Sequence, residues 1–449
     1  MQGKTLEQTL SDIRAYLEGN DLKGAIHLLE QLRPWDQADI FGDLPPETQS
    51  SLLPRLSIED SADILEALSD EEAADLVERL PAEDLARIVD EMEPDEAADL
   101  LGDLPPGRVA DVLQEMEDAD EVRPLLLHPD ETAGGLMTSE FLVLRAKMTA
   151  ADAIAALREW APATDSAYYL FVVDRERRLV GVVSLRDLIV ADPQRCVAEI
   201  MDRQVISVHT GTDQEECARL MQRYDLLALP VVDARGQLAG VITVDDLVDV
   251  LQEEATEDLQ RFGGSEPLGR PYLSVGVLSN VNKRVWWLLL LFVTETFTGT
   301  VLRHFEHQLS EAVALAFFVP LLIGTGGNAG SQTTSSVIRA IALGDIKLRD
   351  GLRVLLHEMS TGVLLGAAMA VFAYLRALTW GSSPDLGLAV GVSIFGIVVW
   401  ANVVGALLPV LATRLRIDPT VVSGPLMSTL VDATGLFLYF TIAGGILGL

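Results

Sequence analysis

The chain is short of basic residues and cysteine, and each shortage excludes something. There are 33 lysines and arginines against 67 aspartates and glutamates, a net charge of -34. Nucleic-acid binding needs a basic face for the phosphates, so no nucleic-acid partner is expected. Only two cysteines occur, Cys196 and Cys217; they lack metal-ligand spacing and suggest a reducing compartment. Residues 1–20 are polar with a helical pattern, which predicts no cleavable signal peptide. No Walker A loop is present, so an ATP-driven pump is not expected. Long apolar runs are almost absent before residue 284, yet mean hydropathy is +0.28. The hydrophobicity is therefore concentrated in the C-terminal part of a 449-residue, multidomain chain.

The first part, 1–129, is built from short helical units such as Ile58-Glu59-Asp60-Ser61-Ala62-Asp63-Ile64-Leu65 and Glu71-Glu72-Ala73-Ala74-Asp75-Leu76-Val77. Each has an acidic first turn, which suits the positive end of the helix dipole, and apolar residues at helical spacing. Often a proline is expected to stop the unit. Stacked units of this kind predict an acidic, all-α superhelix.

Two similar halves follow, 130–198 and 199–258. Each opens on a Met step (Met137-Thr138, Met201-Asp202) and carries two strand patterns, including Leu170-Phe171-Val172-Val173 and Leu229-Pro230-Val231-Val232. Each also holds G-x-x-[ST]-x-x-D: Gly181, Ser184 and Asp187, then Gly240, Thr243 and Asp246. This segment resembles a tandem CBS pair, an α/β module whose hydroxyl and carboxylate hold the ribose of an adenine nucleotide. The alternative is that Ser184 and Thr243 only cap the following helix. A helical connector at 244–262 and a Gly/Pro break lead into a linker, with 259–284 joining the soluble part to the rest.

Residues 285–449 contain five apolar spans, near 285–302, 312–341, 354–378, 388–412 and 424–447, each long enough for a bilayer. Lys283, Arg284, Arg339, Lys347, Arg349, Arg353, Arg414 and Arg416 fall on one side; Arg303 and Arg376 fall on the other. The positive-inside rule then places the soluble domains in the cytoplasm and the C-terminus outside. The predicted fold class is a multidomain membrane protein: acidic superhelix, CBS pair, connecting helix and five-helix transmembrane domain.

Asp432 lies in the last span. A carboxylate at that depth is costly: it marks an ion path, or it is satisfied by a neighbouring helix. Mg²⁺ keeps much of its water and needs only one or two carboxylates with carbonyls, so one Asp per chain doubled by a two-fold axis would serve. Ser428 lies one turn nearer the cytoplasm, and Pro425, after Gly424, is expected to free a carbonyl near position 421. Asn328 and Gln332 share a helix face and either line the same path or lock helices together. Glu295, in the first span, is expected to play a packing role. On the connector Asp246, Asp249, Glu253 and Glu257 form one acidic stripe, which a cation or basic partner must neutralise. Solvated carboxylates are the plainer reading of these groups; a divalent ion shared with Asp63, Asp95 and Asp99 is the sharper one.

The whole chain resembles the MgtE magnesium-transporter family. The resemblance rests on Gly134-Gly135-Leu136-Met137-Thr138, Ser184-Leu185-Arg186-Asp187-Leu188, Glu254-Ala255-Thr256-Glu257-Asp258, Gly324-Thr325-Gly326-Gly327-Asn328 and Asp432-Ala433-Thr434-Gly435. It implies a homodimeric Mg²⁺ channel in the cell (inner) membrane, not an enzyme, closed by cytoplasmic Mg²⁺. It implies metal ligation by Asp432 in the pore and by Asp63, Asp95, Asp99, Asp213, Glu215, Asp225, Asp246, Asp249, Glu254, Glu257 and Asp258 in the sensor. It implies ATP in the CBS pair near Tyr169, Arg186 and Asp187, and a pore lined by Gly424, Ser428, Asn328 and Gln332. The family often has Asn where Gly424 and Ser331 stand. The competing expectations are a CBS-regulated carrier of Mn²⁺ or Co²⁺, and an intramembrane aspartyl protease, for which the sequence offers one deep Asp instead of two.

Overall fold

The structure is a computed structural model that describes residues 5–160, 168–268, 272 and 275–449. It forms two compact units, 1–253 with 269–274, and 254–268 with 275–449.

The first unit begins with ten helices: α1 (Leu6–Glu18), α2 (Leu22–Leu29), α3 (Pro34–Gly42), α4 (Pro46–Leu52), α5 (Ile58–Ala67), α6 (Asp70–Val77), α7 (Ala82–Val89), α8 (Pro94–Gly102), α9 (Pro106–Glu115) and α10 (Ala119–Val122). The expected role of proline is corrected here. Pro34, Pro46, Pro94 and Pro106 occupy the first turn of a helix and start it. Proline lacks the N–H that a first turn leaves unbonded, and its fixed φ suits the position. Alternate helices pack together, α3 on α5, α5 on α7 and α7 on α9, which winds the superhelix. Phe41, Ile64, Leu85 and Leu101 are fully buried in its core.

Two small sheets follow. The first holds β1 (Val143–Arg145), β2 (Tyr169–Val173) and β3 (Leu179–Ser184), with α11 (Ala150–Trp160) after β1 and α12 (Leu185–Val190) after β3. The second holds β4 (Val208–His209), β5 (Ala228–Val232) and β6 (Leu238–Thr243), with α13 (Gln214–Tyr224) before β5 and α14 (Val244–Phe262) after β6. In each, the first pairing is parallel and the second antiparallel. The motif glycines have a packing reason. A Cβ at Gly181 would lie 2.6 Å from Met201 Sδ, and one at Gly240 would lie 2.5 Å from Met137 Cγ. The Met that opens each half is therefore seated against the other half. The core of the second sheet runs into that of the superhelix through Ala133, Met137, Leu229 and Ile242.

The second unit contains the end of α14 and six more helices: α15 (Val277–His304), α16 (Glu306–Glu311), α17 (Val319–Ala342), α18 (Gly351–Thr379), α19 (Pro384–Arg414) and α20 (Gly424–Leu447). Among the described residues, five segments are long and apolar enough to cross a membrane. The last matches its expected limits. The first begins two turns early because the helix continues through Lys283 and Arg284. The second is divided: a 3-10 turn, Val313–Phe318, precedes α17, with Pro320 in the first turn of the helix. Ser383 and Ser423 cap α19 and α20, each accepting a backbone N–H at 3.3 Å. α17 is held between α19 and α20 by small residues. A Cβ at Gly405 would lie 2.8 Å from Gly330 O.

Candidate cation sites

Asp432 lies eight residues into α20, about 12 Å along the helix from its start. It is half-buried, and among the described residues it makes no hydrogen bond or ion pair. Ser428 lies one turn before it, against the spot where α17 lacks a side chain: a Cβ at Gly327 would be 3.0 Å from Ser428 Oγ. Ser331 Oγ donates to Gly424 O at 3.2 Å, so one lone pair of that carbonyl is engaged. A side chain at Gly424 would meet the Phe262 ring at an ordinary 3.5 Å. The glycine is therefore not forced by space. Asn328 and Gln332 are exposed on α17 with no bonded partner for either side chain among the described residues, so within the unit they lock nothing.

One expectation fails in this unit. Pro425 frees no carbonyl, because it sits in the first turn of α20 and position 421 precedes the helix. Val421 O accepts the N–H of Ser423 at 2.8 Å. Glu295 lies on α15, which packs along α20, the helix that carries Asp432. Thr294 and Thr296, beside Glu295, bond to their own helix backbone.

At the cytoplasmic edge of the same unit, Arg261 on α14 binds Asp418, Nη1 to Oδ2 at 2.6 Å, and pairs with Glu257. Glu257 thus has a basic partner. Burial pushes the Asp418 carboxyl up, but the Thr420 hydroxyl and N–H and the Arg261 guanidinium outweigh it and hold it below the usual range. Asp258 is raised by burial and by the nearby Asp418 and Glu254 charges, with Arg261 and Arg339 opposing.

In the first unit, carboxylates crowd around the start of α8. Asp95 is 5 % exposed and its Oδ1 has no hydrogen-bond partner. Burial pushes Asp95 well above the ordinary range, and the Asp246 and Glu93 charges add to this. Burial likewise takes Glu93 to about 7, with Asp246 and Glu66 contributing, and Glu96 to about 9, with Asp95 and Asp99 contributing. Asp99 is pushed to about 8 by burial and by Asp130, Asp70 and Asp103, with Glu253 adding. Asp246 is raised by burial, against its bond from Thr243 Oγ1 at 2.6 Å. The structure thus brings Asp95, Asp99 and Asp246 together. It adds Glu93, Glu96, Glu66, Asp70, Asp103 and Asp130, which the sequence reading did not single out. Asp70 and Glu96 stood in acidic first turns, which mark helix starts without showing which starts meet; Glu66, Glu93, Asp103 and Asp130, at helix ends and in a loop, carried no such sign. Among the described residues no three acidic, His or Cys side chains converge as a preformed metal cage.

The remaining sensor candidates are dispersed. Burial and the charges of Asp60 and Glu59 raise Asp63, whose own charge bears on Glu66. Asp249 is raised by burial and by Asp245. Asp213 caps the start of α13, accepting from the Glu215 N–H at 3.0 Å, and Asp225 ends that helix in a left-handed conformation. Glu254 sits in the middle of α14.

Among the nucleotide candidates, Tyr169 lines a narrow crevice with Thr138, Phe141, Trp160 and Thr243. Its volume of about 10 Å³ would hold no more than one water. Arg186 and Asp187 lie outside that lining, on exposed α12. Ser184 does cap α12: its Oγ accepts the Asp187 N–H at 3.1 Å and bonds the Asp187 carboxylate at 2.6 Å. The aromatic ring, carboxylate and guanidinium are suitable chemistry for adenine, ribose and phosphate.

Family models match at 32–131 (MgtE intracellular N domain), at 133–193 and 197–253 (CBS domain) and at 319–442 (divalent cation transporter). The magnesium transporter MgtE of Thermus thermophilus is 48 % identical over 323 residues, 72 % of each chain. That of Bacillus subtilis is 31 % identical over 446 residues, 99 % of this chain and 98 % of its own. The chain belongs to the MgtE family. As a member of the MgtE family it is a multi-pass membrane protein with its soluble domains on the cytoplasmic side. A crystal structure of the cytosolic domain of the Mg²⁺ channel MgtE with ATP is 39 % identical (TM-score 0.51) and covers 54 % of this chain and 99 % of its own.

Proposed function

We propose that this member of the MgtE family is a Mg²⁺ channel for uptake across the cell membrane, shut by cytoplasmic Mg²⁺. Asp432 carries the reading: an unpaired carboxylate at membrane depth on α20, beside the exposed polar face of α17. The cargo is a hydrated divalent ion. Two copies related by a two-fold axis would place two such carboxylates on one path, with Ser428, Gln332, Asn328 and the Gly424 carbonyl presenting oxygens or amides to the water shell. Uptake needs no pump, because a doubly charged ion gains about 4.6 kcal/mol per 100 mV of inside-negative potential.

The acidic cluster around Asp95 supplies the gate. Without Mg²⁺ the crowded carboxylates hold protons or repel one another. Bound ions replace the protons and favour the compact arrangement, through their higher affinity for it. ATP in the CBS pair, held by Tyr169, Arg186 and Asp187, would add a nucleotide input to the same module. The C-terminus of the chain lies outside.

Mg²⁺ influx into proteoliposomes tests the path. Asp432→Asn should cut influx at least tenfold, and competition by Mn²⁺ and Co²⁺ measures selectivity. Normal influx in Asp432→Asn would remove Asp432 from the path. Faster influx at high internal Mg²⁺ would reverse the gating sign.

A further inference from the structure

A second polar constellation lies inside the membrane unit, and the uptake path does not use it. Glu358, the one acidic residue of α18, is half-buried seven residues into that helix. Its Oε2 lies 3.5 Å from Thr333 Oγ1 of α17, and that hydroxyl lies 2.8 Å from Asn402 Oδ1 of α19. Thr333 and Asn402 are 5 % and 1 % exposed. The close approach is built by glycine: a Cβ at Gly362 would lie 3.0 Å from Asn402 Cβ.

Counting hydrogens shows what is missing. Asn402 donates its Nδ2 to Val398 O at 2.8 Å, so its Oδ1 must face the Thr333 hydroxyl as an acceptor. The hydroxyl has one hydrogen, and the short bond to Asn402 takes it. Glu358 Oε2 is then left facing a lone pair of Thr333, oxygen against oxygen. No ion pair reaches Glu358 among the described residues. The charged or titratable groups on the helices packed around it are Arg353, His357, Tyr374 and Arg376 on α18, Arg339 on α17, and Asp385 and Arg414 near the two ends of α19. Arg349 and Asp350 lie in the turn before α18. Arg339 is six residues from Thr333, roughly 9 Å along the helix.

We propose that Glu358, Thr333 and Asn402 form a binding site for a single positive charge, a proton or an alkali-metal ion. One carboxylate with two neutral oxygens balances a univalent charge and leaves a divalent ion half compensated. Occupied, the site lets Thr333 keep its bond to Asn402 while Glu358 turns toward it, tying α17, α18 and α19 together. Empty, it sets the Glu358 and Thr333 oxygens against each other and loosens α18. The helix it acts on, α17, carries Asn328 and Gln332 on another face, so occupancy alters the ion path without lying in it.

The test uses the full chain in proteoliposomes. Mg²⁺ influx is measured at a fixed Mg²⁺ gradient and clamped potential while pH, then Na⁺ or K⁺, is varied, for wild type and Glu358→Gln. Gln supplies an N–H to Thr333 without charge, which preserves the fold. Wild-type influx should change severalfold along one axis, and Glu358→Gln should lack that component. A component that follows pH alone identifies a proton, and one that follows sodium or potassium alone an alkali ion. Binding is read separately, so that it stands even if Mg²⁺ is not the cargo. The infrared carboxylic-acid band, or bound radioactive sodium, should fall by one group per chain in Glu358→Gln and should weaken in Thr333→Val. Superimposable influx profiles, with no loss of band or bound sodium, would overturn the site.

Discussion

Replacing Asp418 by Asn should make the channel harder to close. Arg261 near the end of α14 grips Asp418 in the turn that leads into α20, and the next residue, Phe262, lies against Gly424. We assign this docked helix end to the closed arrangement. A charge-assisted hydrogen bond is worth about 1.5–3 kcal/mol. Here the two side chains are 40 % and 34 % exposed, so solvent screening reduces the contribution to about 1 kcal/mol. That is about a fivefold change in the ratio of docked to undocked helix. Asn can still cap the turn at Thr420, so the fold is retained. In proteoliposomes the internal Mg²⁺ needed for half-closure should rise about fivefold if one ion governs closure, and about twofold if two act together. High salt should move wild type toward the variant, because a partly exposed pair is screened, and should leave Asp418→Asn almost unchanged. Coincident wild-type and Asp418→Asn closing curves at low salt would refute the latch.

Two further outcomes follow from the geometry. Glu93, Glu96 and Asp99 have folded-state values of about 7, 9 and 8, above their unfolded values, so the folded chain holds more protons than the unfolded chain between about pH 4.5 and 9. Without Mg²⁺, stability should therefore fall as pH rises through that window; Mg²⁺ should restore it most at the alkaline end and release protons on binding. A thermal-unfolding series and a pH-stat titration check this, and a melting temperature that rises with pH would contradict it. Gly405→Ala should destabilise the membrane unit by about 1–3 kcal/mol, because its Cβ meets the Gly330 carbonyl, a backbone atom that cannot swing aside. Thermal unfolding in detergent measures it, and an unchanged midpoint would show that α17 and α19 can separate at no cost.

Much of the architecture could be read from the chain, for local reasons. Acidic first turns marked α5 to α8, and the apolar run from Gly424 onward marked α20. Asp432 stood out because charge is rare in such a run. What stayed hidden depends on which elements meet. Glu96 looks like an ordinary first-turn acid until α8 is packed, and Glu295 looks isolated until α15 lies along α20. Glu358, Thr333 and Asn402 come from three helices, and no spacing within one helix announces them. The misreading of Pro425 has the same root: freeing the carbonyl four residues back presumes a helix that extends that far upstream.

The crossed seating of Met137 on Gly240 and Met201 on Gly181 gives the regulatory module a further property. Each thioether fills a notch cut in its sister repeat, so neither repeat is complete alone. Converting either sulfur to its sulfoxide would force a polar oxygen into a space shaped for a methylene chain. Oxidative damage at one methionine would then unseat the repeat that does not contain it.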